Sequence, residues 1–244
     1  MNLIIDIGNI LTKIYLFDSG EVVDSFLIDK EIVPFLEVLI RENNSLCQAI
    51  ISSTRDYEPE LDKVLDLLPN GWSELTSETA LPITNSYKTP ETLGKDRLAA
   101  VVGAQTLLPK RNILVIDAGT AVTYDILNEN GEYAGGSISP GLQMRYRALH
   151  QFTGRLPLLE PRDLYKFPGD CTEDAIISGV QQGMLFEIDA YIGHFKKNYK
   201  KNRIIFTGGD AKFFDSKVKN SFFVDSNLVS TGLNRILEYN AENL

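Results

Sequence analysis

Three short segments join a carboxylate to a glycine turn at the end of an apolar run: Asp6-Ile7-Gly8-Asn9, Asp117-Ala118-Gly119-Thr120 and Thr207-Gly208-Gly209-Asp210. Glycine lets backbone N–H groups approach phosphate oxygens. A carboxylate serves an anionic phosphate only through a cation that it, or its water shell, holds. Asp6 to Asn9 with Lys13, and Asp117 to Thr120, therefore read as a clamp for nucleotide phosphates. Lys13 adds a direct positive charge and Thr120 a hydroxyl, while the third turn suits close approach to a ribose or an adenine. A fourth segment, Tyr87-Lys88-Thr89-Pro90-Glu91-Thr92-Leu93-Gly94-Lys95-Asp96-Arg97, sets two opposite charges side by side at a helix start, behind a glycine. Such a pair is either an exposed capping pair or a base with an anion clamp. In the second case Asp96 accepts a hydroxyl proton and Arg97 grips a substrate carboxylate.

The elements around the first two turns repeat once. Leu3 to Glu21 aligns with Leu114 to Glu132 at a constant offset of 111, without a gap: Asp6 falls on Asp117, Gly8 on Gly119, Thr12 on Thr123 and Gly20 on Gly131. Each copy reads as a buried strand, a tight turn, a second strand and a glycine-bearing hairpin. A duplication of this kind predicts two related α/β halves, 1–110 and 111–244, each offering an Asp and a glycine turn to a shared cleft. The spacing predicts helices over 29–43, 59–68 and 92–108, and a strand over 48–53. Pro140 is expected at the first turn of a helix reaching Phe152. One helix is expected from Thr172 past Phe195, and a strand over 203–207.

Composition narrows the partners. The 244 residues suffice for one large or two small domains, and 24 basic against 33 acidic side chains leave a formal charge of −9. That balance excludes a generic nucleic-acid binder, which needs clustered Lys and Arg. Cys47, Cys171, His150 and His194 are the chain's cysteines and histidines, and their spacing suits no zinc site. Two thiols fit a reduced, cytoplasmic setting. The start lacks a basic signal-peptide region, and no apolar run is long enough to span a membrane.

Taken in order, these segments resemble the type III pantothenate kinases, members of the acetate-kinase/Hsp70/actin-like superfamily with a duplicated ribonuclease-H-like fold. The resemblance also takes in Gly135-Gly136-Ser137-Ile138-Ser139-Pro140-Gly141, Thr153-Gly154-Arg155-Leu156-Pro157 and Thr172-Glu173-Asp174-Ala175-Ile176. Gly94-Lys95-Asp96-Arg97 with the upstream Tyr87 and Pro90 is its specific part. The resemblance implies ATP-dependent phosphorylation of pantothenate to 4′-phosphopantothenate, with Mg²⁺ and a monovalent cation, K⁺ or NH₄⁺. It implies Asp96 as general base, and Tyr87, Gly94, Lys95, Arg97 and Thr172 as pantothenate contacts. ATP falls to Asp6, Ile7, Gly8, Asn9, Ile10, Leu11, Thr12, Lys13 and Thr120, and the monovalent cation to Asp117. A homodimer is implied too, with Thr153 reaching the neighbouring subunit's substrate. Ile10 departs from the family, which usually carries Ser or Thr there. The alternatives are another small-molecule kinase of the superfamily and a non-catalytic transcription accessory factor on the same fold.

Overall fold

The computed structural model describes residues 1–9, 11–215, 217–220 and 222–243. Ile10, expected among the nucleotide contacts, lies outside the described residues. The chain forms two compact units, one of Met1–Pro109, Gly131–Tyr133 and Asn227–Leu244, the other of Lys110–Asn130 and Ala134–Ser226.

In the first unit β1 (Asn2–Ile7), β2 (Thr12–Asp18) and β3 (Glu21–Ile28) form an antiparallel meander. The helix α1 (Ile32–Glu42) then returns the chain to β4 (Gln48–Ser53), parallel to β1, and α2 (Glu60–Leu65) to β5 (Trp72–Glu74), parallel to β4. The strand order is β3-β2-β1-β4-β5. Central β1 is buried on both faces, which is why Leu3, Ile4, Ile5 and Ile7 run almost unbroken. Leu3, Ile5 and Ile7 pack with Leu36 and Ile40 of α1 and Leu61 and Leu65 of α2. Asp6 interrupts that run on the opposite face. The unit continues with β6 (Thr84–Asn85) and α3 (Lys95–Leu107).

The second unit repeats the plan. It runs through β7 (Asn112–Ala118), β8 (Ala121–Leu127), β9 (Glu132–Pro140), α4 (Leu142–Gln151), α5 (Thr172–Ile177), α6 (Gly183–Asn198), β10 (Asn202–Thr207), α7 (Ala211–Asp215) and β11 (Phe223–Val224). Its sheet runs β11-β10-β7-β8-β9-β6; apart from the short edge strand β6, this is the first sheet's order written backwards, with β7 antiparallel to β8 and parallel to β10. The ribonuclease-H-like arrangement therefore occurs twice. The final helix, α8 (Leu228–Glu242), belongs to the first unit.

Two sequence expectations need correction, and the repeat carries a difference that its alignment does not show. Pro140 is the last residue of β9, where its missing N–H is harmless, and Gly141 caps α4 instead. The helix expected from Thr172 onward is interrupted by a π-helical stretch at Ser178–Gln182, which divides α5 from α6. The gap-free repeat also slips in pairing: Asp6 sits opposite Lys13, whereas Asp117 sits opposite Thr123 rather than Tyr124. The second turn closes one residue sooner, so the residue in register with the turn aspartate changes from an ammonium to a hydroxyl.

Candidate active site

Asp6 lies one residue before the end of β1, between Lys13 of β2 and Ser52 of β4 in register. Directly aligned strand residues point to one face, so the three side chains share a surface. Beyond Ile7 the chain turns, and the Gly8 N–H donates to the Leu11 carbonyl at 3.1 Å. Burial pushes the Asp6 carboxyl up to about 6. The Lys13 ammonium opposes that rise and the Asp96 charge adds to it.

Asp96 belongs to the first turn of α3, and its Oδ1 accepts the Arg97 N–H at 2.8 Å. That bond meets one of the unpaired donors of the helix start and fixes the carboxylate's orientation. A Cβ on Gly94 would lie 2.6 Å from Asp96 Oδ1, so a side chain there would make the carboxylate shift. The Arg97 side chain runs inward, only 5% exposed, and its guanidinium carbon lies 5.8 Å from the centre of the Tyr87 ring. Tyr87 stacks in turn on Tyr133 at 6.1 Å. Lys95 pairs with Glu74 at 2.7 Å, and Glu74 also accepts from the Tyr57 hydroxyl at 3.3 Å. Lys95, Glu74 and Tyr57 border a hollow of about 580 Å³ that also takes in Ser53, Arg55 and Asp56.

The first unit thus brings together Asp6, Lys13, Asp96 and the Arg97–Tyr87 pair. Ser52 beside Asp6, and Tyr57, Arg55 and Glu74 around the Lys95 hollow, are not legible in the sequence, because each comes from a strand end or loop with no motif of its own.

In the second unit, Asp117 lies one residue before the end of β7, close to two tightly packed glycines. A Cβ on Gly208, at φ +94°, would lie 2.4 Å from Asp117 Oδ1. One on Gly141 would lie 2.1 Å from the Gly119 carbonyl. The Asp210 N–H donates to the Ala118 carbonyl at 2.9 Å, so three glycine segments converge on one strand end. Burial raises the Asp210 carboxyl above its ordinary value. The exposed Thr120 accepts the Gly141 N–H through its carbonyl at 3.1 Å, and Thr123 Oγ1 is buried with no hydrogen-bond partner among the described residues. Thr172 stands exposed at the start of α5, where the Cys171 sulfur accepts the Asp174 N–H.

The raised carboxyl of Asp6 gives a testable stability effect. The folded chain holds this proton more tightly than the unfolded chain, so ionisation weakens the fold as pH rises from about 4 through about 6. Asp6→Asn is expected to stabilise the unliganded protein at pH 7.5 by up to about 3 kcal/mol, with the gain shrinking toward pH 4.5. Thermal unfolding at both pH values measures it. A gain independent of pH would show that the buried charge is not its source.

The donor set fits a nucleotide with a divalent cation: a half-buried aspartate, an ammonium in register with it and a glycine turn, all on one strand end. Comparison with known proteins agrees. The family model for type III pantothenate kinase matches residues 2–194. A type III pantothenate kinase of Phocaeicola vulgatus is 47% identical over 98% of this chain and 99% of its own length. One from Bacteroides fragilis is 45% identical over 98% of each chain. Among solved structures, a Campylobacter jejuni protein described as a Baf family transcriptional activator is 26% identical, with a TM-score of 0.61 over 99% of this chain and the whole of its own. A Listeria monocytogenes protein described as an N-acetylmannosamine kinase shares the fold, with a TM-score of 0.58 at 14% identity over 98% of this chain and 99% of its own. The chain belongs to the type III pantothenate kinase family, whose members use ATP to phosphorylate pantothenate on the way to coenzyme A.

Proposed function

We propose that Asp96 is the general base of this phosphorylation and that Asp6 to Lys13, with Thr120, binds ATP. The observation that carries this reading is the closeness of two carboxylates within one unit: Asp96 is near enough to Asp6 to raise its proton affinity, and Lys13 stands in register beside them. Phosphoryl transfer asks the protein for in-line positioning and charge neutralisation more than for covalent chemistry. Bound ATP supplies the phosphoryl group. Lys13 offsets phosphate charge at the turn. Asp96, held through Oδ1, takes up the proton of the pantothenate primary hydroxyl on Oδ2, late in the transition state. Tyr87, Gly94, Lys95, Arg97 and Thr172 bind pantothenate. A coupled ADP-release assay with ATP, Mg²⁺ and K⁺ is expected to give a signal only when pantothenate is added. ADP release indifferent to pantothenate would defeat this reading.

A monovalent cation, K⁺ or NH₄⁺, belongs at Asp117. The support is the Thr123 hydroxyl in register with Asp117, buried and with no hydrogen-bond partner among the described residues, so that a carboxylate and a hydroxyl offer oxygen donors on one face of the strand end. Activity is expected to fall at least about 10-fold when Na⁺ replaces K⁺, in line with an effect of at least about 1.4 kcal/mol. Equal rates in the two salts would remove Asp117 from this role.

The protein works as a homodimer in the cytoplasm. Phe152, Leu158, Leu164, Phe167 and Phe186 of the second unit are all exposed, and Phe167 and Phe186 lie ring against ring at 6.2 Å, apolar surface of the kind a partner subunit covers. Thr153 follows Phe152 directly, consistent with a role toward a neighbouring subunit's substrate. Light scattering is expected to give twice the chain mass, and a monomer mass at micromolar concentration would refute the dimer. Cys47 and Cys171 are both free thiols, in keeping with a reducing compartment. Among the described residues no helix is long and apolar enough to cross a membrane.

A further inference from the structure

Ser52 is fully buried at the end of β4, and its Oγ has no hydrogen-bond partner among the described residues. A buried hydroxyl without a partner is disfavoured, and native folds retain few of them without a use. The parallel register sets Ser52 directly beside Asp6, on the side opposite Lys13. The second unit keeps the same device: β10 sets Thr207, 2% exposed, directly beside Asp117. A buried hydroxyl therefore flanks the turn aspartate from the parallel neighbour strand in both repeats, though the sequences around Ser52 and Thr207 share no motif.

We infer that Ser52 is a positioning residue for nucleotide binding: when nucleotide occupies the turn, the Ser52 hydroxyl donates to the Asp6 carboxylate and holds it in its working orientation. This rests on the reading of Asp6 as part of the ATP turn. The hydroxyl acts on Asp6 from one side and the Lys13 ammonium from the other, so the carboxylate is fixed without contact from the pantothenate-binding segment. A hydroxyl needed only in the bound state adds nothing to the unliganded fold. That separates this role from a structural one.

The experiment measures binding of a non-hydrolysable ATP analogue with Mg²⁺ by calorimetry, beside thermal unfolding of the unliganded protein. Ser52→Ala is expected to unfold at the same temperature as the parent or higher, yet to bind the analogue about 10-fold more weakly, the size of one hydrogen bond to a charged group. Ser52→Cys keeps the volume with a poor donor and should behave like Ser52→Ala. In an Asp6→Ala background, which removes the acceptor, the Ser52→Ala effect should disappear. Parental affinity in Ser52→Ala, or a loss of stability with affinity unchanged, overturns the inference, as does a Cys variant that binds like the parent. If Asp6→Ala itself binds like the parent, the reading of Asp6 fails. If Asp6→Ala binds weakly and Ser52→Ala normally, the role of Ser52 alone falls.

Discussion

Asp96→Asn is expected to lower kcat by about 100- to 10,000-fold, the range that a positioned general base contributes, while the protein stays folded and still binds ATP. Asn keeps the Oδ1 acceptor that takes the Arg97 N–H at 2.8 Å, so the first turn of α3 retains its cap. It loses the oxygen that would hold the proton. The pantothenate hydroxyl is then left to water, far less well placed, and the cost falls on turnover rather than on affinity. A second consequence is electrostatic. Because the Asp96 charge helps to raise Asp6, its removal lets Asp6 titrate lower, and the pH dependence of stability assigned to Asp6 moves down with it. Turnover within a few-fold of the parent would remove Asp96 from the role of base, and an unmoved Asp6 titration would show that the two carboxylates are not coupled.

Gly232→Ala is expected to destabilise the protein, against the ordinary preference of helices. Within α8, glycine is worse than alanine by about 1 kcal/mol, so propensity alone predicts a gain. Packing reverses the sign. A Cβ on Gly232 would lie 1.8 Å from the Ala99 carbonyl and 2.8 Å from the Gly103 nitrogen, both backbone atoms of α3 that cannot swing aside. Gly103 meets α8 in the same way, with a Cβ there falling 2.1 Å from the Leu228 carbonyl. The two helices touch backbone to backbone, and one methyl group must drive them apart. Overpacking of this kind costs about 1–3 kcal/mol, a fall in Tm of about 2–12 °C for a chain of this size. Since α3 carries Asp96 and Arg97 in its first turn, the shift should also lower kcat/KM in the fraction that remains folded. A variant as stable as the parent would mean that α8 can move off α3 at no cost.

Part of the candidate site is legible in residue types and spacing alone. Asp6, Lys13 and Asp117 stand out because charged side chains at the ends of apolar runs have no reason to be there for the sake of burial, whereas Asp96 beside Arg97 reads equally well as a helix cap until the family resemblance is added. The repeat is legible too, since the same strand-turn-strand pattern is written twice at one offset. Its pairing is not. A turn that closes one residue sooner leaves the letters aligned while it changes which residue faces the aspartate, so Thr123, not Tyr124, stands opposite Asp117. Pro140 misleads for a similar reason, since its fixed φ suits a strand end as well as a helix start.

Local chemistry alone determines the strands, the two glycine turns and the charged start of α3, because side-chain period and turn preference act over a few residues. The tertiary structure decides what lies beside what. Parallel pairing joins segments separated by whole helices, so only the folded sheet sets Ser52 against Asp6 and Thr207 against Asp117. Only the packing of a helix from the far end of the chain gives Gly103 and Gly232 their meaning. Burial does the rest: an aspartate reads the same in the sequence wherever it stands, and its proton affinity is set by the water it has lost and the charges left nearby.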